Sequence, residues 1–239
     1  MDIHQDQSRG DLRQPNNTPR PIEVTSLNHL KEILLENRIP LGEWGTGKAK
    51  PVEAFYASLQ EGEAVILHDG EQLIREVRVA AVKIYREGKD PYTGKPERFK
   101  LLERCQSFVP EGVTIETQAD LEQHTIPGRT VVRDVDTSCS EIMLPHETPV
   151  EGMIRGCEEE LHITFSETEL ELFDKPSKET VSPSFPGLLS RYERFYFQVE
   201  LQDGDPRMRL EYFDREAMGD GTELVGHMVW TRVFEAESD

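Results

Sequence analysis

Between Glu147 and Ile163 the chain reads ETPVEGMIRGCEEELHI, a stretch crowded with carboxylates around a single arginine, Arg155, and two glycines, Gly152 and Gly156. Carboxylates at this density can hold a hard divalent cation against a phosphate, because Mg2+ and Mn2+ take oxygen ligands. They can equally decorate the wet face of an amphipathic helix. At 3.6 residues per turn, Val150, Met153, Ile154, Cys157 and Leu161 form an apolar stripe. Glu151, Arg155 and Glu159 form an i,i+4 ladder on the opposite side, with Glu158 alongside. Such a ladder contributes only about 0.2–0.5 kcal/mol per pair and by itself describes a solvated surface. Glu160 breaks the pattern, since it falls beside the apolar edge on the stripe shared by Gly152 and Gly156. A glycine inside a helix costs roughly 1 kcal/mol relative to alanine, so something must approach the backbone closely there. A half-buried carboxylate needs a partner, and a metal ion would be one.

The elements that must position this helix can be read on either side of it. Residues 1–22 are polar and dotted with proline, and are expected to form a disordered arm. Ser26 can cap a helix carrying Leu27, Leu30, Ile33 and Leu34, and a second helix is expected from Pro51 through Val52, Phe55, Tyr56 and Leu59. Residues 23–69 are thus read as a helical extension closed by the strand AVILHD, and residues 70–239 as the main domain. LIREVRVAAVKIY alternates through Val77, Val79 and Ala81 and then changes parity at Val82 and Ile84, which predicts a bulge or a strong bend. FKLLERCQSFV, a segment near Glu169–Phe173, RFYFQVEL and GHMVWTRVF read as further strands, while DKPSKETVSPSFPG reads as a long loop. In RFYFQVEL, Phe195, Phe197, Val199 and Leu201 share one face. The class is mixed α/β.

Composition limits the partners. Lys and Arg number 27 against 46 Asp and Glu, a formal net charge of −19, which disfavours binding to DNA or RNA polymers. The three cysteines, Cys105, Cys139 and Cys157, contain no close pair, which fits a reducing cytoplasm better than a disulfide framework. No apolar run approaches membrane-spanning length. GEWGTGKA, from Gly42 to Ala49, nearly spells a phosphate-binding loop, but Ala49 stands where Ser or Thr is needed and no buried strand precedes it. A turn between two helices is the better reading.

With these residues in place the segment resembles the Nudix box, the loop–helix–loop signature of hydrolases that cut nucleoside diphosphates linked to another group. Glu147 lies eight positions before Arg155, Cys157 and Ile163 fill apolar positions, and Glu159-Glu160 fill the paired glutamates. Glu141 replaces the leading glycine of that pattern, Gly156 the glutamate after the arginine, and His162 the closing glycine. The likeness extends to LLERCQSF and SFPGLLSRY, over about residues 70–237, with the upstream helix pair and its EWGTGK turn as an extension. It implies a Nudix-like α/β/α sandwich with a mixed β-sheet, and Mg2+ (or Mn2+) held by Glu159 and Glu160, with Glu147 and Arg155 holding the helix in place. Gly156 brings no carboxylate, so the ion would bind more weakly with fewer ligands, or a remote carboxylate, Glu211, Glu103 or Glu141, would compensate. His162 suits a closing position in the left-handed region. Arg191 or Arg194 could meet a phosphate and Tyr192 a base.

Two functions follow from the resemblance. One is hydrolysis of a pyrophosphate bond in a nucleotide-type small molecule. The other is a catalytically weakened nucleotide sensor or protein-interaction module, with a homodimer open to either. A structural protein without a phosphate site is the third reading.

Overall fold

A strand edge can pair with one neighbour per residue, and one long strand shows how this chain uses that limit. The computed structural model describes residues 18–47, 49–89, 93–202 and 204–233. Strand β1 (Arg20–Pro21) precedes helices α1 (Leu27–Glu36) and α2 (Val52–Glu61). Strands β2 (Val65–His68), β3 (Leu73–Lys89) and β4 (Pro96–Pro110) follow. Then come α3 (Gln118–His124), β5 (Thr130–Val132), β6 (Cys139–Ile142) and the acidic helix α4 (Pro149–Leu161). The chain continues through β7 (Glu171–Asp174), β8 (Ser177–Val181), β9 (Leu189–Leu201), β10 (Glu211–Ala217) and β11 (Thr222–Arg232). Of the expected arm, residues 1–17 lie outside the described residues, whereas Arg20 and Pro21 pair with β2.

One edge of β3 is taken by β9, parallel and in unbroken register from Ile74↔Leu189 to Arg86↔Leu201. The other edge is divided in turn among β2, β6 and β4, all antiparallel. Since β4 pairs with β3 only from Tyr85↔Lys100 outward, the rest of β4 diverges toward β11, and the sheet forks between β4 and β6. Ser138 stitches the fork: its hydroxyl donates to the Leu101 carbonyl at 2.7 Å and accepts the Ile84 N–H at 2.8 Å. Asp136 clamps it further by pairing with both Lys83 and Lys100.

Helices cover the two faces. Ala80, Val82 and Ile84 of β3 and Phe195, Phe197, Val199 and Leu201 of β9 pack with Met153, Cys157 and Leu161 of α4. Burying a side chain such as Met153 or Leu161 contributes roughly 2 kcal/mol. Val77 and Val79 face the other way, into a cluster with Leu30, Leu34 and Phe55 of α1 and α2. The helical segment therefore shares its core with the sheet. Trp44, in the turn between these helices, is buried against Phe55 and Phe185 and donates its indole N–H to the Pro186 carbonyl at 2.9 Å.

Two sequence expectations need correction. The parity change in β3 is not a bulge, because the β3–β9 register never slips. It arises because a central strand is buried on both faces, so Ala80, Ala81 and Val82 are all buried in succession. DKPSKETVSPSFPG is not wholly loop either: β8 forms within it and pairs with β9. The expected helices, and Phe195, Phe197, Val199 and Leu201 on one face, are present as read. Among the described residues no helix is long and apolar enough to cross a membrane.

Candidate functional site

The turn before α4 and its first residues set the helix in place. Thr148 accepts the Glu151 N–H, and Glu151 returns the bond to the Thr148 N–H at 2.8 Å, a reciprocal cap behind Pro149. Glu151 is thereby diverted from the ladder predicted with Arg155. Arg155 instead reaches back across the loop. Its Nε donates to Glu147 Oε1 at 2.7 Å and its Nη2 to Glu147 Oε2 at 3.1 Å, while Nη2 also reaches the Ile142 carbonyl at 2.9 Å. The remaining nitrogen, Nη1, meets both Glu159 Oε2 at 3.0 Å and Glu141 Oε1 at 3.2 Å. This guanidinium holds Glu147 below the usual carboxylate range, helped by the Leu144 N–H, and the Glu147 carboxylate raises Arg155 in return.

The two glycines of α4 mark where β6 and the loop after it cross the helix. A Cβ at Gly152 would lie 3.2 Å from Glu147 Oε2 and from Met143 Cγ. A Cβ at Gly156 would lie 2.6 Å from the Cβ of Glu141, closer than real contacts allow. The close approach inferred from the sequence is thus made by protein.

Glu159 and Glu160 part company. Consecutive helical residues point about 100° apart, and here Glu159 is exposed and tied to Arg155 while Glu160 turns inward. Burial pushes Glu160 up to about 7; the Cys139 thiol bonding to it opposes this, and the charges of Asp214, Glu141 and Glu103 add to it. Asp214 is raised as well, first by burial and then by Glu103. Glu103, Glu160 and Asp214 line a polar cavity of about 140 Å³ at the sheet fork, with Arg133 paired to Glu103 at 3.0 Å.

A larger cavity of about 510 Å³ shares Val135, Thr137 and Ser140 with the acidic one. Its walls carry Lys83, Arg194, Phe173, Tyr192 and Tyr196. Tyr192 and Arg194 both line this cleft. Arg191, one residue along the strand, points to the opposite face, where Glu76 and Glu179 hold it from the strands on either side.

Glu211 is not brought to Glu160. It accepts the Gln118 N–H at 3.1 Å and lies 3.7 Å from His227 Nε2. Three residues along β10, Asp214 has the opposite parity and shares the helix-facing side with Tyr212, which packs in the α4 core. Sequence reading missed Asp214. The apolar Tyr212 fixes the parity that would have found it, but only once the helix is known to cover that side. His162 closes α4 with φ 55°, in the left-handed region anticipated for it.

The chain matches no family model and no curated protein. Among solved structures it is similar to the crystal structure of C. elegans Ap4A hydrolase, at 14% identity, over 63% of this chain and 80% of that one, with a TM-score of 0.28. So loose a superposition carries no argument about function. What stands is a mixed α/β chain whose acidic helix lies beside a forked sheet, with a carboxylate-lined cavity at the fork and an aromatic and basic cleft that shares three lining residues with it.

Proposed function

We propose that the chain is a Nudix-type hydrolase, built on a Nudix-like α/β/α sandwich, that cuts a pyrophosphate bond in a nucleoside-diphosphate-linked small molecule with Mg2+ or Mn2+. The observation that carries the reading is the setting of Glu160. It is a helix-borne carboxylate turned inward and pushed up to about 7 by burial, facing with Glu103 and Asp214 a polar cavity that shares Val135, Thr137 and Ser140 with the aromatic cleft.

The donor set fits a hard cation in kind, because it consists of carboxylate oxygens whose charges raise one another. Among the described residues no three His, Cys, Asp or Glu side chains already close on a cation position. Mg2+ keeps several waters and is commonly held by one or two carboxylates, so a ready-made cage is not required. Glu160 would hold the ion, with Glu159 joining if Arg155 releases it, and Asp214 and Glu103 form the acidic wall. When bound, the ion supplies Lewis-acid polarisation of phosphate oxygens and a more acidic water.

The other roles belong to the chain itself. Lys83 and Arg194 offset phosphate charge, and Phe173, Tyr192 and Tyr196 offer faces on which a base can stack. Arg191, committed to two glutamates, and Glu211, on the far side of β10, are left out of the proposed set.

The test is incubation with nucleotide sugars, ADP-ribose, dinucleotides and triphosphates plus Mg2+ or Mn2+, following phosphate-containing products. Turnover of one class that is abolished by Glu160→Gln is the expected result. A nucleotide sensor is the second reading, favoured by the missing carboxylate at Gly156 and by the hold of Arg155 on Glu159. It would show as a nucleotide-dependent rise in melting temperature without products. Neither effect would sink both readings.

A further inference from the structure

We infer that Arg75, buried behind the aromatic cleft, is a positioning residue: through Tyr192 it holds Arg194 in place as the seat for a ligand's phosphate. The inference rests on the reading of that cleft as the nucleotide site.

Arg75 lies on β3 two residues before Val77 and on the same face, where the N-terminal helices cover the sheet. It is only 7% exposed, and its Nε has no hydrogen-bond partner. Among the described residues no carboxylate pairs with it, and two rings flank its guanidinium instead, Phe185 at 5.1 Å and Tyr192 at 5.9 Å. Burying an unpaired cation is costly, and burial accordingly draws its pKa down. Packing alone would be served as well by an apolar side chain of similar volume. What the guanidinium adds is a directed contact: Nη1 donates to the Tyr192 hydroxyl at 3.3 Å.

Tyr192 carries that order to the cleft. Its ring lies under the Arg194 guanidinium at 5.5 Å, and Arg194 Nη1 in turn donates to the Tyr196 hydroxyl at 3.3 Å. Arg194 is two residues from each tyrosine and so shares a face of β9 with both. The two tyrosines fix Arg194 without neutralising it. Other cations nearby are already committed, Arg191 to Glu76 and Glu179, and Lys83 to Asp136. Acidic residues outnumber basic ones by 46 to 27 in this chain. Even so, Arg194 lines the cleft with no carboxylate partner among the described residues, which leaves its guanidinium to meet an anion. Phe173 and Tyr196, with ring centroids 6.1 Å apart and planes tilted by 39°, stand beside it for a planar ring.

The test uses the full chain without metal, calorimetry, and three probes: AMP, adenosine and inorganic phosphate. Wild-type protein should bind AMP more tightly than either half. Arg194→Gln should weaken AMP about tenfold or more and leave adenosine unchanged, since only the charged contact is lost. Arg75→Met should weaken AMP about threefold to tenfold by loosening the seat, again sparing adenosine. On the Arg194→Gln background the Arg75→Met loss should vanish, which a merely structural role would not produce. Tyr192→Phe breaks the same link while keeping the ring, and should reproduce the Arg75→Met result should that variant fold poorly. Unchanged AMP affinity in Arg194→Gln puts the phosphate elsewhere and overturns the seat. Equal losses for AMP and adenosine in Arg75→Met and Tyr192→Phe, or a loss that persists without Arg194, overturn the positioning role. The expected pattern without pyrophosphate turnover leaves the inference standing and sinks only the hydrolase. Absence of AMP binding by the wild-type protein overturns the inference, whatever the turnover assay shows.

Discussion

Arg155 on helix α4 grips Glu147 in the preceding loop through two parallel hydrogen bonds, Nε to Oε1 at 2.7 Å and Nη2 to Oε2 at 3.1 Å. The Glu147 side chain is only 9% exposed, so its charge depends on that grip. We predict that Arg155→Ala destabilises the fold by about 3 kcal/mol, because it strands a buried carboxylate and frees the Ile142 carbonyl. Arg155→Lys should recover little, since an ammonium cannot make the paired contact. Urea melts check this, and a loss under about 0.5 kcal/mol, the level of an exposed pair, would refute it.

Glu160 gives the metal-free protein a distinctive pH dependence. Its folded pKa, about 7, lies above the ordinary 4.5, so the folded state holds an extra proton between those values. Stability from this group is present below pH 4.5 and is lost as pH rises through 7. Glu160→Gln should therefore be the more stable protein at pH 8, by at most about 3 kcal/mol, with the advantage gone near pH 4. Denaturant titrations at the two pH values decide it; an equal difference at both would show that burial does not perturb Glu160.

The N-terminal helices depend on Trp44. Its ring lies 5.1 Å from Phe185 and 5.9 Å from Phe55, and its N–H is satisfied by the Pro186 carbonyl. Trp44→Ala should cost about 3–5 kcal/mol, and Trp44→Phe distinctly less. Deleting residues 1–69 should yield aggregating protein, because Val77, Phe185 and Leu188 would lose their cover. A soluble, cooperatively melting truncation would refute the shared core.

At the far end of α4, His162 holds φ 55° while its N–H bonds back to the helix carbonyls. His162→Gly should stabilise by up to about 1 kcal/mol, and His162→Ile should destabilise by about 1–2 kcal/mol, because a β-branched side chain resists that backbone region. Melting temperatures that move in the opposite order would show that the imidazole contributes more than the backbone.

Much of this protein was legible because helices and strands write their environment in short-range periodicity. The stripe Met153, Cys157, Leu161, the alternation of Phe195, Phe197, Val199 and Leu201, and the left-handed close at His162 all depend on residues within a few positions of one another. Such features survive in a one-dimensional reading. The parity of β3 was misread for the same reason inverted: a strand buried on both faces has no polar side to mark its period.

The composition of the acidic cavity was decided elsewhere. Glu103 comes from β4, Asp214 from β10 and Glu160 from α4, and their meeting depends on a strand edge divided among three partners so that the sheet forks. Glu211 and Asp214 are equally acidic in sequence, yet the pleat and the side on which α4 lies send only Asp214 toward Glu160. Residue types and local spacing determined which side chains could do chemistry. Long-range pairing decided which of them meet, because register and face are properties of two strands together and of neither alone.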